Sequence, residues 1–280
     1  MLSYQHSYHA GCFADVMKHM ILTRLLHYLA QKENPLLYLD THAGRGRYDL
    51  KGRDALKTNE AQWGIHLLWE KRAQLSPLFS LYIEAIAQLN VENECRYYPG
   101  SPEIAKQILR SVDRLVFCEL HPGEFDYLNK FVAHGRRVFL KKENGLSNLN
   151  ALLPPLERRG LVFIDPSYER KIEYKEVVQA LKMAYKRCST MTYCVWFPYI
   201  NGTVPPQFLK DLQSISTNHL CLEFHQTFDL PSHQIGMTGS GLWIINPPYT
   251  LAEEGQKMLS ELKKIMNKTN SVNVGEQQSC

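Results

Sequence analysis

The chain has 280 residues, 44% hydrophobic and 21% charged, with a net charge of +4. This length and balance suit one α/β domain with an insertion, exclude disorder of the whole chain, and permit a nucleic-acid partner without demanding one. The seven cysteines form no Cys-x-x-Cys pair, which fits free thiols in a reducing compartment better than a disulfide frame or a zinc site.

The opening Met1-Leu2-Ser3-Tyr4-Gln5-His6 lacks a basic segment followed by an apolar core. No apolar run approaches the roughly 20 residues of a membrane span, so a cytoplasmic protein without a signal peptide or membrane partner is expected. The next residues are rich in polar groups, including His6, His9, Asp15, Lys18 and His19. His6 and His9 lack carboxylates at ligand spacing, so no metal is expected. Lys18 and His19 fall on a helix expected over Ala14–Ala30, where Val16, Met20, Leu25 and Leu29 recur on one side. There they could meet a carboxylate such as that of a methionine moiety.

Leu36–Asp40 reads as a strand that delivers Asp40-Thr41-His42-Ala43-Gly44-Arg45-Gly46. Gly44 and Gly46 let backbone approach a ligand closely, because glycine has no Cβ. Asp49 stands where a dinucleotide fingerprint needs its third glycine, which disfavours NAD. From Lys51 to Asn93 the strand–helix alternation breaks. Leu75, Phe79, Ile83, Ile86 and Leu89 at helical spacing suggest a helical insertion, with Ser76-Pro77 as its cap and first-turn proline.

Further strands are expected at Leu115–Glu119, Val138–Lys141, Leu161–Asp165, Tyr193–Phe197, Leu220–His225 and Leu242–Asn246, with a helix over Glu173–Arg187. This alternation argues a doubly wound, mostly parallel sheet. Glu119, at a strand end, is placed to accept both ribose hydroxyls of an adenosine moiety. Asp165-Pro166-Ser167-Tyr168 has the pattern of a site that methylates an amino nitrogen of a base. The Asp165 carboxylate and Pro166 carbonyl can accept hydrogen bonds from the amine, Asp165 can take its proton, and Tyr168 offers a face for an unstacked base. Asn246-Pro247-Pro248-Tyr249 fits that pattern better in letters. It is read as a structural turn, because a strand so near the C-terminus is expected to lie last in the sheet. The tail from Asn267 is polar and expected to be disordered.

With these residues in hand the chain resembles the RlmJ family, bacterial methyltransferases that modify an adenine N6 in 23S ribosomal RNA. The resemblance runs from Met1 to about Tyr249. It includes Met-Leu-Ser-Tyr, Lys18-His19, Tyr38–Gly44, Arg96–Pro102, Glu119-Leu120-His121-Pro122, Arg158–Leu161, Gly236-Met237-Thr238 and Asn246-Pro247-Pro248. It implies a Rossmann-like, S-adenosylmethionine-dependent methyltransferase fold of seven strands with a small helical insertion, which agrees with a methyltransferase domain over 1–50 and 94–266, an insertion over 51–93 and the polar tail over 267–280 expected to be disordered. It further implies that Lys18, His19, His42, Ser101 and Glu119 line the S-adenosylmethionine pocket. Asn144 and Gly145 stand where the family has Asp-Gly beside the adenine of the cofactor, so Asn144 keeps an acceptor but loses the charge. Tyr4 is placed near the target base.

Ser167 replaces a proline of the family; activity is expected to survive, since Asp165, Pro166 and Tyr168 remain. Arg45, Arg47, Lys51, Arg53 and Lys57, and Arg158, Arg159, Arg170 and Lys171, are candidate phosphate contacts. The expected partner is 23S ribosomal RNA, the target base flipped or unstacked, and the enzyme a monomer. The alternatives are a DNA adenine-N6 methyltransferase and an RNA-binding protein with a degenerate site.

Overall fold

The computed structural model describes residues 5–91, 93–132, 135–226 and 236–267. Tyr4, the candidate neighbour of the target base, and the tail 268–280 lie outside the described residues.

In chain order the elements are α1 (Phe13–Ala30), β1 (Leu37–Asp40), β2 (Arg47–Asp49), α2 (Arg53–Thr58), α3 (Ile65–Glu70), α4 (Ser80–Ala87), β3 (Tyr97–Pro99), α5 (Ser101–Ile108), β4 (Arg114–Cys118), α6 (Pro122–Phe131), β5 (Val138–Lys141), α7 (Gly145–Leu152), β6 (Gly160–Ile164), α8 (Glu173–Arg187), β7 (Thr192–Ile200), α9 (Pro206–Gln213), β8 (His219–His225), β9 (Met237–Ile245) and α10 (Leu251–Asn267). All seven strands expected of the main sheet form. Their order is β5-β4-β1-β6-β7-β9-β8. The pairings from β5 to β7 are parallel, and β9 runs antiparallel to both β7 and β8. This is the doubly wound, mostly parallel, Rossmann-like sheet of seven strands that was expected.

Both faces of the central strands are buried, so these strands read as unbroken apolar runs. On β1, Tyr38 faces one core while Leu37 and Leu39 face the other; on β6, Leu161 and Phe163 face the first and Val162 and Ile164 the second. The first core is covered by α1, α5 and α10, the second by α7, α8 and α9. Helix α1 is buried on nearly every side from Phe13 to Leu26, because the sheet lies beneath it and α4, α5 and α10 pack around it. That burial brings Lys18 down onto the face that carries Asp40 and Asp165.

Segment 51–93 is largely helical, and the antiparallel pair β2–β3 brings its ends together. Phe79, Tyr82 and Ile86 complete the first core. The expected cap does not form. Ser76 makes no side-chain capping bond, a short 3-10 turn precedes α4, and the Ser76 amide instead donates to Glu261 at 3.0 Å. Helix α3 abuts the N-terminal segment closely: Ile65 N donates to Gly11 O at 2.8 Å, and a Cβ on Gly64 would meet that same oxygen at 2.1 Å.

Strand β9 also corrects the reason for setting aside Asn246–Tyr249. The strand does not lie last in the sheet; it is inserted between β7 and β8. Being antiparallel, it pairs Ile245 with Tyr193 at the start of β7. Its C-terminus therefore emerges at the edge opposite the ends of β1 and β6. There the Asn246 amide donates to the carbonyls of Ser189 and Met191, both at 2.8 Å, and Tyr249 is 84% exposed beside Tyr28.

Candidate active site

The C-terminal ends of β1, β4 and β6 open on one cavity, as expected for ligand sites in open α/β sheets. Lys18, His19, His42, Gly44, Ser101, Glu119, Asn144, Gly145, Asp165 and Pro166 all line it. These residues lie far apart in the chain and are gathered because three parallel strands end side by side.

At the β1 end the backbone turns through Gly44, at φ +61°, a left-handed conformation that glycine adopts without a Cβ penalty. The Gly44 amide donates to Glu119 Oε2 at 2.8 Å and the His121 amide to Glu119 Oε1 at 2.6 Å. Each carboxylate oxygen keeps a second lone pair. Burial raises the Glu119 carboxyl, and these two amides partly restore its charged form. Gly145 opens α7 against Thr41, and a Cβ there would meet Thr41 O at 2.4 Å.

Asn144 is the N-cap of α7, and its Oδ1 accepts from the amides of Leu146 and Ser147 at 3.0 and 3.1 Å. Both lone pairs of that oxygen are thus engaged. The acceptor expected to face a cofactor is spent on the helix, which leaves the Nδ2 donor.

The floor is a buried polar network. Asp40 Oδ2 accepts from Tyr38 at 3.0 Å and Ser101 at 2.6 Å, and Oδ1 accepts from the His42 amide at 3.2 Å. No cation among the described residues is bonded to Asp40, and burial raises its carboxyl to about 7. Lys18, 4% exposed at its side chain, bridges Asp165 at 2.6 Å and Asp15 at 3.0 Å. His6 adds a 2.9 Å contact to Asp15. Although burial penalises both charges, the paired partners hold the Lys18 ammonium above its ordinary value and the Asp15 carboxyl well below its own. Lys18, expected to meet a methionine carboxylate, is therefore already bonded to two carboxylates of the protein. Asp165 Oδ1 has no hydrogen-bond partner among the described residues.

Tyr168 does not line the cavity. Its φ is +53°, unusual for a bulky residue and worth about 1–3 kcal/mol of strain. Its hydroxyl donates to Trp196 O at 2.8 Å, and its ring lies 4.3 Å from that of Tyr174. The residue anchors the loop that presents Asp165 and Pro166.

The family model described as RsmJ, ribosomal RNA large subunit methyltransferase D, RlmJ, matches residues 33–275. The chain belongs to this family. Ribosomal RNA large subunit methyltransferase J of Haemophilus influenzae is 42% identical over 267 residues, covering 95% of this chain and 94% of that protein. The Escherichia coli protein of the same name is 39% identical over 259 residues, with 92% of each covered. A crystal structure of a Legionella pneumophila protein is 49% identical with a TM-score of 0.85, covering 92% of this chain and 94% of its own.

The family resemblance did not single out Asp15, His6 or Tyr98, yet all three support residues of the cavity; Tyr98 lies 2.8 Å from His19 Nδ1. For His6 and Asp15 the signal was the polar richness around the start of α1, which periodicity alone cannot assign to partners; Tyr98, on β3, carried no such signal. The basic residues are less free than their spacing suggested. Arg45 is bonded to Glu124, Arg47 to Glu103, Lys51 to Glu94, and Arg170 to Glu173 and Glu176. Arg159 donates to the carbonyls of Asn34 and Leu29, at the start of β6 and away from the cavity. The six described cysteines are unpaired thiols, and no helix among the described residues is long and apolar enough to cross a membrane.

Burial lowers His19 to about 3 and His42 to about 4, so both rings are neutral at physiological pH. Below about 6.5 the unfolded chain binds a proton at each ring that the native state refuses, so each ring makes stability fall as pH falls. Asp40, raised in the native state, opposes one of them between its unfolded value near 4 and about 7. His19→Gln should therefore flatten the pH dependence by up to ~1.4 kcal/mol per pH unit between pH 6 and 4. Denaturant melts of both proteins at three pH values across that window check this; parallel curves would refute it.

Proposed function

We propose that this chain methylates the N6 amino group of an adenine in 23S ribosomal RNA, by direct in-line transfer from S-adenosylmethionine to a flipped or unstacked base. The observation that carries this reading is the Asp165-Pro166 pair, set at the end of β6 in the cavity that also holds Glu119 and the Gly44 turn. Family membership and the printed names of its relatives support ribosomal RNA as the substrate.

The residues fit the methyl donor. Glu119 accepts one amide on each carboxylate oxygen and keeps a second lone pair on each, suited to a ribose diol. His42, Ser101 and Asn144 complete that wall, with Lys18 and His19 below it. When bound, S-adenosylmethionine supplies an electrophilic methyl on a sulfonium. Asp165 Oδ1 and the Pro166 carbonyl accept the two hydrogens of the adenine amine, which localises its lone pair on nitrogen; Asp165 can then take the proton that leaves. Lys18 fixes Asp165 Oδ2, so the carboxylate is oriented before substrate arrives. Tyr168 braces the loop through its hydroxyl bond to Trp196 O. No covalent enzyme intermediate is required.

Incubating the protein with labelled S-adenosylmethionine and unmodified, protein-free 23S RNA, then digesting to nucleosides, tests the reading. Label is expected in N6-methyladenosine. Label confined to another nucleoside, or accepted only by DNA, would reject it.

A further inference from the structure

Thr41 and His42 leave the end of β1 side by side, and a proton count on them fixes a tautomer. Thr41 is 2% exposed. Its Oγ1 lies 3.1 Å from the carbonyl oxygen of Phe163 on β6 and 2.8 Å from His42 Nδ1. A hydroxyl has one proton to give. If it went to His42, Oγ1 and the Phe163 oxygen would face each other lone pair to lone pair at 3.1 Å, at a residue that is 2% exposed. Given to Phe163, the proton leaves Oγ1 free to accept from an Nδ1–H, and both contacts are satisfied. The imidazole is neutral because burial lowers it to about 4, so one ring nitrogen is protonated and the other bare.

We infer that Thr41 is a positioning residue that locks His42 in its Nδ1–H form, so that the bare Nε2 accepts a hydrogen bond from the ammonium of the cofactor's methionine moiety. The inference rests on reading the cavity as an S-adenosylmethionine site. His42 lines that cavity, and Nε2 has no hydrogen-bond partner among the described residues. Asp40, which holds the His42 amide, and Asp165 in the same cavity favour a cationic donor over an anion near this nitrogen. The link is also structural. Phe163 O accepts both the Thr41 amide and the Thr41 hydroxyl, so the cofactor-facing ring is tied to β6, the strand that Asp165 directly follows.

The test uses the full chain labelled with 15N-histidine. The spectrum of His42→Asn identifies the His42 signals among the 11 histidines. At pH 7 the wild type should show Nδ1 with the shift of a protonated ring nitrogen and Nε2 with that of a bare one. The reverse assignment overturns the inference, whatever binds. Thr41→Val should move the ring toward its other tautomer and weaken S-adenosylmethionine binding by roughly five- to tenfold, as the competent fraction falls. Binding of 5′-methylthioadenosine, which has the nucleoside but no amino acid, should stay within twofold, roughly a measurement's scatter. Thr41→Ser should restore both the tautomer and the affinity. Equal weakening of both ligands by Thr41→Val would reduce Thr41 to a packing role and overturn the inference. Failure of the wild type to bind S-adenosylmethionine would overturn the reading of the cavity and the ammonium contact with it. The tautomer, measured on the same sample, separates that failure from an error about Thr41.

Discussion

Asp165→Asn is expected to lower the single-turnover rate of methyl transfer by about 10²–10⁴-fold, the range seen when a positioned acid–base or polar group is removed. The reason is geometric. Lys18 occupies one oxygen of the Asp165 carboxylate at 2.6 Å and leaves the other for the amine. In the asparagine variant, an oxygen that stays on Lys18 turns the Nδ2 donor toward an amine that also donates, so the acceptor that localises the lone pair is lost. Asn246→Ala is the control. It removes the two amide bonds to Ser189 and Met191, which costs about 1–3 kcal/mol of stability, but its site is on the opposite edge of the sheet and the rate on folded protein should not change. Rapid-quench transfer to unmodified RNA at saturating cofactor measures both. An Asp165→Asn rate within threefold of wild type, on the scale of ~0.7 kcal/mol, would remove Asp165 from the reaction.

Lys18→Met should destabilise the fold by about 3–5 kcal/mol, the usual consequence of removing one partner of a buried ion pair. Asp15, 1% exposed, and Asp165 would be left without their shared cation, and Asp15 would keep only its bonds to His6 and the Gly11 amide among the described residues. The sign with pH follows from Asp15. Its native carboxyl lies well below the unfolded value, so its stabilising contribution is present above about pH 4 and disappears as pH falls through the native value. Without Lys18 the Asp15 carboxyl should rise, so the gap between variant and wild type should narrow in acid. Urea melts at pH 7 and pH 4 measure it. A variant as stable as wild type at pH 7 would show that the buried pair gains nothing over a methionine of similar volume.

The strands were legible because each is a short apolar run whose burial on both faces shows in its own letters, as in Leu161-Val162-Phe163-Ile164 on β6. The acid and glycine residues of the cavity were legible for a related reason: they sit at strand ends, and parallel strands bring their ends to one edge. Helix α8 coincides with its expected span, Glu173–Arg187. The Ser76 cap was misread because tertiary packing of α10 supplies Glu261 to its amide, which a local cap rule cannot see.

The sequence by itself determined which segments form the sheet and which chemical groups stand at its ends, since both follow from neighbours a few residues apart. The tertiary structure alone decided how those groups are used. Lys18 and Asp165 lie 147 residues apart and meet only because α1 packs on the sheet beside the end of β6. The better-lettered Asn246–Tyr249 is removed from the reaction only because β9 runs antiparallel and ends at the far edge. Whether a carboxylate is free, capping or paired depends on contacts across the fold, and no local pattern encodes those.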